Sequence, residues 1–399
     1  MSKLVVLWMI LVPVGMVFAA TGERPSGAVN PVRCATCHTE VKAFEDVHAP
    51  VAANGCGSCH RIKSAAEHTY ELVAQGAALC RNCHDHTVAD APVVHAPVEE
   101  GECMTCHHPH GGPDRKFLRS ASVVDLCESC HGDVGGAGHV HAPVKAGDCG
   151  ACHQPHSSNE AMLLLDKPRA VCVGCHESVR TATASAVSRH DAGCATCHAP
   201  HASEMAGLLP TDPTSLCFGC HDREIALPEG GKLSNVKLEI ESGTHPHGPV
   251  ADGDCSSCHV NHGSPHFRLL AETYPSDFYA SFSEGLYALC FTCHDEDLVR
   301  VASTTTATEF RNGSTNLHYV HVNREKKGRT CRACHDIHAG NDDKLIRDSV
   351  PFGRGSYRLS IGYESTPDGG RCSTGCHEPL EYDRNVPEGS SVPVAAATP

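Results

Sequence analysis

The feature that most constrains this chain is a short pattern, Cys-x-x-Cys-His, that occurs twelve times, with a thirteenth, widened copy near the end. The cysteine pairs are Cys34 and Cys37, Cys56 and Cys59, Cys80 and Cys83, Cys103 and Cys106, Cys127 and Cys130, Cys149 and Cys152, Cys172 and Cys175. Then follow Cys194 and Cys197, Cys217 and Cys220, Cys255 and Cys258, Cys290 and Cys293, Cys331 and Cys334, and Cys372 and Cys376. After each second cysteine stands a histidine: His38, His60, His84, His107, His131, His153, His176, His198, His221, His259, His294, His335 and His377. In the last copy three residues, Ser373, Thr374 and Gly375, separate the cysteines.

The thirteen pairs use all 26 cysteines. A disulfide framework needs no histidine at that place, and zinc sites do not put one after every pair. Histidine is 31 of 399 residues, so thirteen chance placements have a probability on the order of 10⁻¹⁴. The pattern is the attachment signature of c-type haem: the thiols form thioethers with the two vinyl groups, and the histidine binds the iron. About thirteen covalent haems c are expected, the copy at Cys372 and Cys376 being the least regular.

A chain so occupied has little with which to build ordinary cores. Aromatics are 5% of the residues, and Gly and Pro number 36 and 25. Large apolar side chains supply most core burial, so the expected fold is mostly coil with short helices and a few small β-hairpins, organised by haem. The first 19 residues read as a secretory signal: Lys3, an apolar run from Leu4 to Phe18, and a small-residue cleavage site, with the mature chain starting near Ala20. That run is short for a membrane span, and no later stretch is apolar enough for one. The only Trp, Trp8, lies in the signal. A formal charge of −15 argues against nucleic acid as a partner.

The spacing divides the rest. First cysteines recur every 22 to 24 residues up to Cys217, then every 35 to 41 residues, so residues 20–222 form a nine-haem repeat array and residues 223–385 a four-haem region with insertions. Residues 386–399 are Ser-, Pro- and Ala-rich and are expected to be disordered. Within the insertions, Val299 to Val322 and Leu345 to Tyr363 read as hairpins and Ala271 to Leu289 as a helix. Because the first nine motifs manage without them, the insertions around Glu224–Gly243 and Glu272–Leu286 read as docking surface and not as haem scaffold.

The repeat is a doublet. One motif of each doublet is preceded by His-Ala-Pro-Val, as at His48, His95 and His141, or by a relative of it at His190, His247 and His321, and is commonly followed three residues on by a further histidine, as at His110, His156, His201, His262 and His338. The other motif usually has an apolar residue just before it, as in Leu79-Cys80 and Leu216-Cys217. With His68, looser in spacing, these make twelve candidates for the second axial ligand. Six histidines remain, His86, His108, His139, His245, His266 and His318, from which a thirteenth ligand can come. After signal cleavage only Met104, Met162 and Met205 remain to compete, so bis-histidine ligation and low potentials are expected.

Doublets such as Cys149-x-x-Cys152-His153-Gln154-Pro155-His156 and Leu216-Cys217-x-x-Cys220-His221 resemble multihaem cytochromes with doubled CxxCH motifs, related to the decahaem cytochromes of outer-membrane porin–cytochrome conduits. The resemblance spans about Arg33 to Arg384, although the chain carries thirteen motifs where the decahaem pattern has ten. It implies an elongated, haem-determined fold with closely packed haems and an exported protein in the periplasm, at the outer membrane or outside the cell. The partners implied are other redox proteins, among them an outer-membrane porin and an extracellular cytochrome. Three electron-transfer roles stay open: a conduit, a periplasmic shuttle or store, and a filament subunit. A multihaem reductase is the reading from another class, and it requires an open iron position.

Overall fold

The computed structural model describes residues 31–387, apart from 85–89, 137, 185, 187–189, 191, 228–230 and 352–356. The proposed signal, His86 and nearly all of the proposed tail lie outside the described residues. The fold is coil punctuated by short helices and small antiparallel sheets, as expected. The longest described helices, Val123–His131 and Pro213–His221, have nine residues. None is long and apolar enough to cross a membrane.

Local chemistry accounts for these pieces. The helix Pro213–His221 starts where the Asp212 carboxylate accepts the Ser215 N–H at 2.9 Å and Pro213 supplies a φ already suited to the first helical position. Ser122 caps Val123–His131 in the same way, bonding the Asp125 N–H at 3.1 Å. In the other motif of a doublet, His-Ala-Pro-Val forms a single turn with the proline near its start: Ala49–Ala52, Ala96–Glu99, Ala142–Lys145 and, with glycine for alanine, Gly248–Ala251. The chain leaves that turn through a left-handed residue, Asn54, Gly101, Gly147 or Gly253, with φ between +59° and +77°. Glycine and asparagine tolerate that region best.

Two-residue ribbons tie distant segments together. Asp46–Val47 pairs with Gly111–Gly112, Val93–Val94 with Ser157–Ser158, His139–Val140 with Ala202–Ser203, and His245–Pro246 with Ala339–Gly340. Each ribbon joins the strand before an upstream histidine to the strand after a downstream one. At its end the N–H of His48, His95, His141 or His247 donates to the carbonyl of His110, His156, His201 or His338, at 2.9 Å in all four. The approach demands small residues: a Cβ on Gly111 would lie 2.5 Å from the Asp46 carbonyl oxygen.

The chain divides into two compact units. One runs through Gly132 and takes in Cys149–Leu163; the other takes in Asp133–Asp148 and the chain from Leu164 onward. The interleaving follows from the ribbons. The segment with His156 pairs back to residues 93–94, whereas the segment with His139 and His141 pairs forward to residues 202–203.

The insertions have internal structure. Leu270, Tyr274, Tyr287, Val299 and Val322 form a small buried core, with the Tyr274 and Tyr287 rings edge to face at 5.6 Å. Asn316, wholly buried, donates its amide to the carbonyls of Asp297, Leu298 and Val301 and accepts the Tyr319 N–H. The expected hairpin in 345–363 is present as Ser349–Pro351 against Arg358–Ser360. That in 299–322 is confined to Arg311–Asn312 against Thr315–Asn316, followed by a helix, Leu317–Val322. The helix expected over Ala271 to Leu289 does not form; only Ala288–Phe291 is helical there. Pro275 breaks the run, and the segment instead lies along 322–330: Phe282 N–H bonds the Val322 carbonyl, Ala280 N–H the Gly328 carbonyl and Thr330 N–H the Phe278 carbonyl.

Candidate functional site

Each attachment motif but the last is one helical turn. The N–H of the motif histidine donates to the carbonyl of the first cysteine at 2.9–3.0 Å in the motifs of His38, His84, His107, His153, His176, His198, His259, His294 and His335. Positions i, i+3 and i+4 of such a turn share one face, so both thiols and the imidazole point to the same side. This is the local reason for the spacing. The last motif is built differently: Cys372 ends the strand Gly369–Cys372, the middle strand of a three-stranded sheet with Tyr363–Ser365 and Leu380–Asp383. Its extra residue accompanies a start from a strand and not from a turn.

Among the described residues no two cysteines are joined by a disulfide. They meet across motifs in an alternating order. First cysteines adjoin in Cys34 with Cys56, Cys80 with Cys103, Cys127 with Cys149, Cys217 with Cys255 and Cys290 with Cys331, each pair within hydrogen-bonding reach. Second cysteines are near enough to interact in Cys59 with Cys83, Cys106 with Cys130, Cys197 with Cys220, Cys258 with Cys293, and Cys334 with Cys376, and Cys334 also lies near the first cysteine of the last motif, Cys372. Burial, then the neighbouring thiol, pushes Cys127 and Cys217 up to about 11. The result is an unbroken run over the first six motifs and another over the last six.

The histidines pair just as selectively. Two imidazoles bound to one metal at about 2 Å each have ring centres roughly 6 Å apart. That separation recurs for His38 with His68 (6.2 Å), His84 with His48 (6.0 Å), His60 with His110 (6.3 Å), His131 with His95 (5.9 Å) and His107 with His156 (5.9 Å). It recurs again for His176 with His141 (6.0 Å), His221 with His190 (6.4 Å), His198 with His262 (6.0 Å), His294 with His247 (6.1 Å) and His335 with His318 (6.4 Å). His259 lies near enough to His338, and His321 to His377, for their charges to interact. The residues therefore fit haem c: two thiols on one edge and an imidazole on each face.

A rule governs the pairs. The histidine ahead of a doublet's first motif reaches forward to its second motif, as His48 does to His84 and His247 to His294. The histidine after the first motif reaches back to the first motif of the preceding doublet, as His110 does to His60 and His262 to His198. The two ends lack a neighbour to supply a ligand. There His68, from the hairpin His60–Ser64 with Thr69–Leu72, faces His38, and His318, from the helix Leu317–Val322, faces His335.

Ring orientation is set by the second nitrogen. Nδ1 of His48, His95, His141 and His190 hydrogen-bonds the carbonyl of Pro109, Pro155, Pro200 and Asn261, at 2.8–2.9 Å. On the motif side, His107, His153, His198, His259 and His335 bond the carbonyl nine residues on, at Lys116, Met162, Gly207, Arg268 and Lys344, over 2.7–3.0 Å. An Nδ1–H given to a carbonyl leaves Nε2 free as a ligand. Nδ1 of His338 instead meets the Glu239 carboxylate at 3.2 Å. Glu239 lies in the insertion read as docking surface, and Tyr274 and Tyr287 put the other insertion in the core, so both segments also have scaffold contacts.

Sequence reasoning missed this nine-residue loop, although its signal is plain: motif histidine, histidine three on, two small residues, then Leu or Ile eleven on, as at Leu118, Leu164, Leu209, Leu270 and Ile346. Of the spare histidines among the described residues, His318 is the one whose ring stands opposite a motif histidine, His335, at 6.4 Å. His108 packs on Phe44 at 4.7 Å, and His139 and His245 stand in ribbon strands.

The sequence model of a family described as doubled CXXCH motif matches residues 48–89, 95–136, 141–181, 187–226 and 247–298. Each segment holds one doublet with its upstream histidine. No curated protein matches the chain.

Proposed function

From the premise that the chain belongs to the doubled CXXCH motif family and binds haem c covalently as a multihaem cytochrome, we propose that it is an exported electron conduit with thirteen bis-histidine sites. When bound, haem supplies reversible one-electron chemistry. The protein's part is to place and isolate the sites. The thiols would hold haem covalently, the paired imidazoles would bind its iron, and the Nδ1 bonds hold the imidazole rings so that a change of charge demands little movement of the protein.

The observation that carries this reading is the alternating contact of motif cysteines. Five successive steps in each run bring a cysteine of one motif close to a cysteine of the next. The reductase reading is disfavoured by the second imidazole standing opposite ten motif histidines. The proposed direction of transfer, to or across the outer membrane with redox proteins and a porin as partners, is supported by the export signal and the doublet resemblance.

Intact mass and reductive titration test the proposal together. The expected protein starts near Ala20, carries thirteen haems and titrates over a broad span of low potentials with low-spin spectra throughout. A mass short by several haems, or several high-spin sites, would contradict it.

A further inference from the structure

We propose that His68 is a displaceable ligand, and that the motif of Cys34, Cys37 and His38 is the place where the chain admits a small neutral molecule of the carbon monoxide type. The inference rests on the attachment reading above and goes beyond it, since a pure conduit needs no such entry.

Four observations converge on His68. First, most other candidate ligands are held at long range: His48, His95, His141 and His190 bond carbonyls 59 to 71 residues away. His318 and His321 pack on Phe310 at 5.1 and 5.7 Å. His68 belongs to a hairpin closed on itself, with His60–Ser64 paired only to Thr69–Leu72. Second, its backbone is left-handed, with φ +51°, a region that non-glycine residues occupy uncommonly. Third, its ring makes no hydrogen bond among the described residues, and its ring neighbours there are Tyr70, edge-on at 5.3 Å, and His38. Fourth, the hairpin is open to solvent. His68 is exposed, and Ile62, Tyr70 and Val73 keep 38%, 38% and 37% of their surface, Ile62 and Tyr70 being cross-strand partners. A neutral molecule therefore has an apolar approach.

On the other face, Nδ1 of His38 meets the Glu40 carboxylate at 3.4 Å, where the motifs of His107 and His198 use a neutral carbonyl. A carboxylate partner makes the motif imidazole the stronger donor and leaves His68 the more replaceable of the two. In the exchange the iron–Nε2 bond to His68 breaks, a bond to the incoming ligand forms, and the imidazole departs neutral. No electron changes hands.

The test is carbon monoxide titration of the fully reduced holoprotein, after peptide mass has shown haem on the Cys34–Cys37 peptide. Wild type should bind one equivalent per chain. His68→Ala should still bind one, about tenfold or more tightly, because the competing ligand is gone. His48→Ala should bind two. A loaded wild type that binds none, or His68→Ala that binds one equivalent more than wild type, overturns the inference and leaves the conduit reading standing. A chain without haem on that peptide fails the attachment reading first. A loaded wild type that binds none decides against the inference whether or not the variants fold.

Discussion

Residues 34–222 and residues 223–385 place the same attachment motif on two kinds of protein. In the first, motifs follow one another every 22 to 24 residues, and among the described residues no hydrophobic side chain is fully buried. Its segments are single turns joined by two-residue ribbons. In the second, the ten buried hydrophobic residues run from Leu270 to Tyr382, and the insertions fold on one another around Tyr274 and Tyr287. The difference teaches that the motif does not dictate its support. Where the spacing is minimal, the cofactor and its crossed ligands must do the work of a core. Where the chain has room, side chains do part of it, and there His318 stands opposite His335 at the end of the array.

The largest expected effect of this difference appears when haem attachment is prevented. Without it, residues 34–222 should exchange amide hydrogens at the rate of an unfolded chain, because ribbons of two residue pairs cannot offset the entropy of ordering their segments. Any slow exchange should be confined to about 270–330, around the aromatic cluster. Hydrogen exchange read by mass spectrometry decides this, and protection throughout the array would break the comparison.

A smaller but sharper effect is expected on removing one period. Deleting residues 95–140 joins the first doublet to His141 and brings His156 into the place of His110. Intact mass should fall by the deleted residues and two haems, with the remaining sites loaded and low-spin. Loss of further haems would show that the doublets are not interchangeable. Deleting a stretch of similar purpose in the second region, such as 304–316, should instead keep the haem count and turn the site of His335 high-spin, because it removes the Thr308 hydroxyl and Phe310 ring that hold His318.

Single side chains give the smallest effect. Tyr287→Ala should cost about 3–5 kcal/mol of local stability, as buried aromatic truncations do. Leu126→Ala, at a half-buried position ahead of Cys127, should cost about 1 kcal/mol or less. Comparing local exchange rates in the two holoprotein variants measures both. Equal costs would mean that the array has a side-chain core after all.

Much of this was legible beforehand. The attachment motifs, the His-Ala-Pro-Val segments that precede them and the hairpin within 345–363 are local features, and each is found where the sequence places it. The insertion at 271–289 was misread because its aromatic residues suit a helix face as well as an irregular strap, and only the opposing segment 322–330 distinguishes them. His318 could not be picked from the six spare histidines, since it obeys no repeat; it stands where the repeat ends.

The sequence by itself determined where haem attaches, because the two thiols and the histidine of one site lie within a single turn and need nothing from elsewhere. The second ligand is another matter. His48 and His110 stand side by side in one ribbon yet face different motifs, His84 and His60, one forward and one back along the chain. Which histidine serves which motif depends on how strands some sixty residues apart come into register, and that is a property of the folded chain alone.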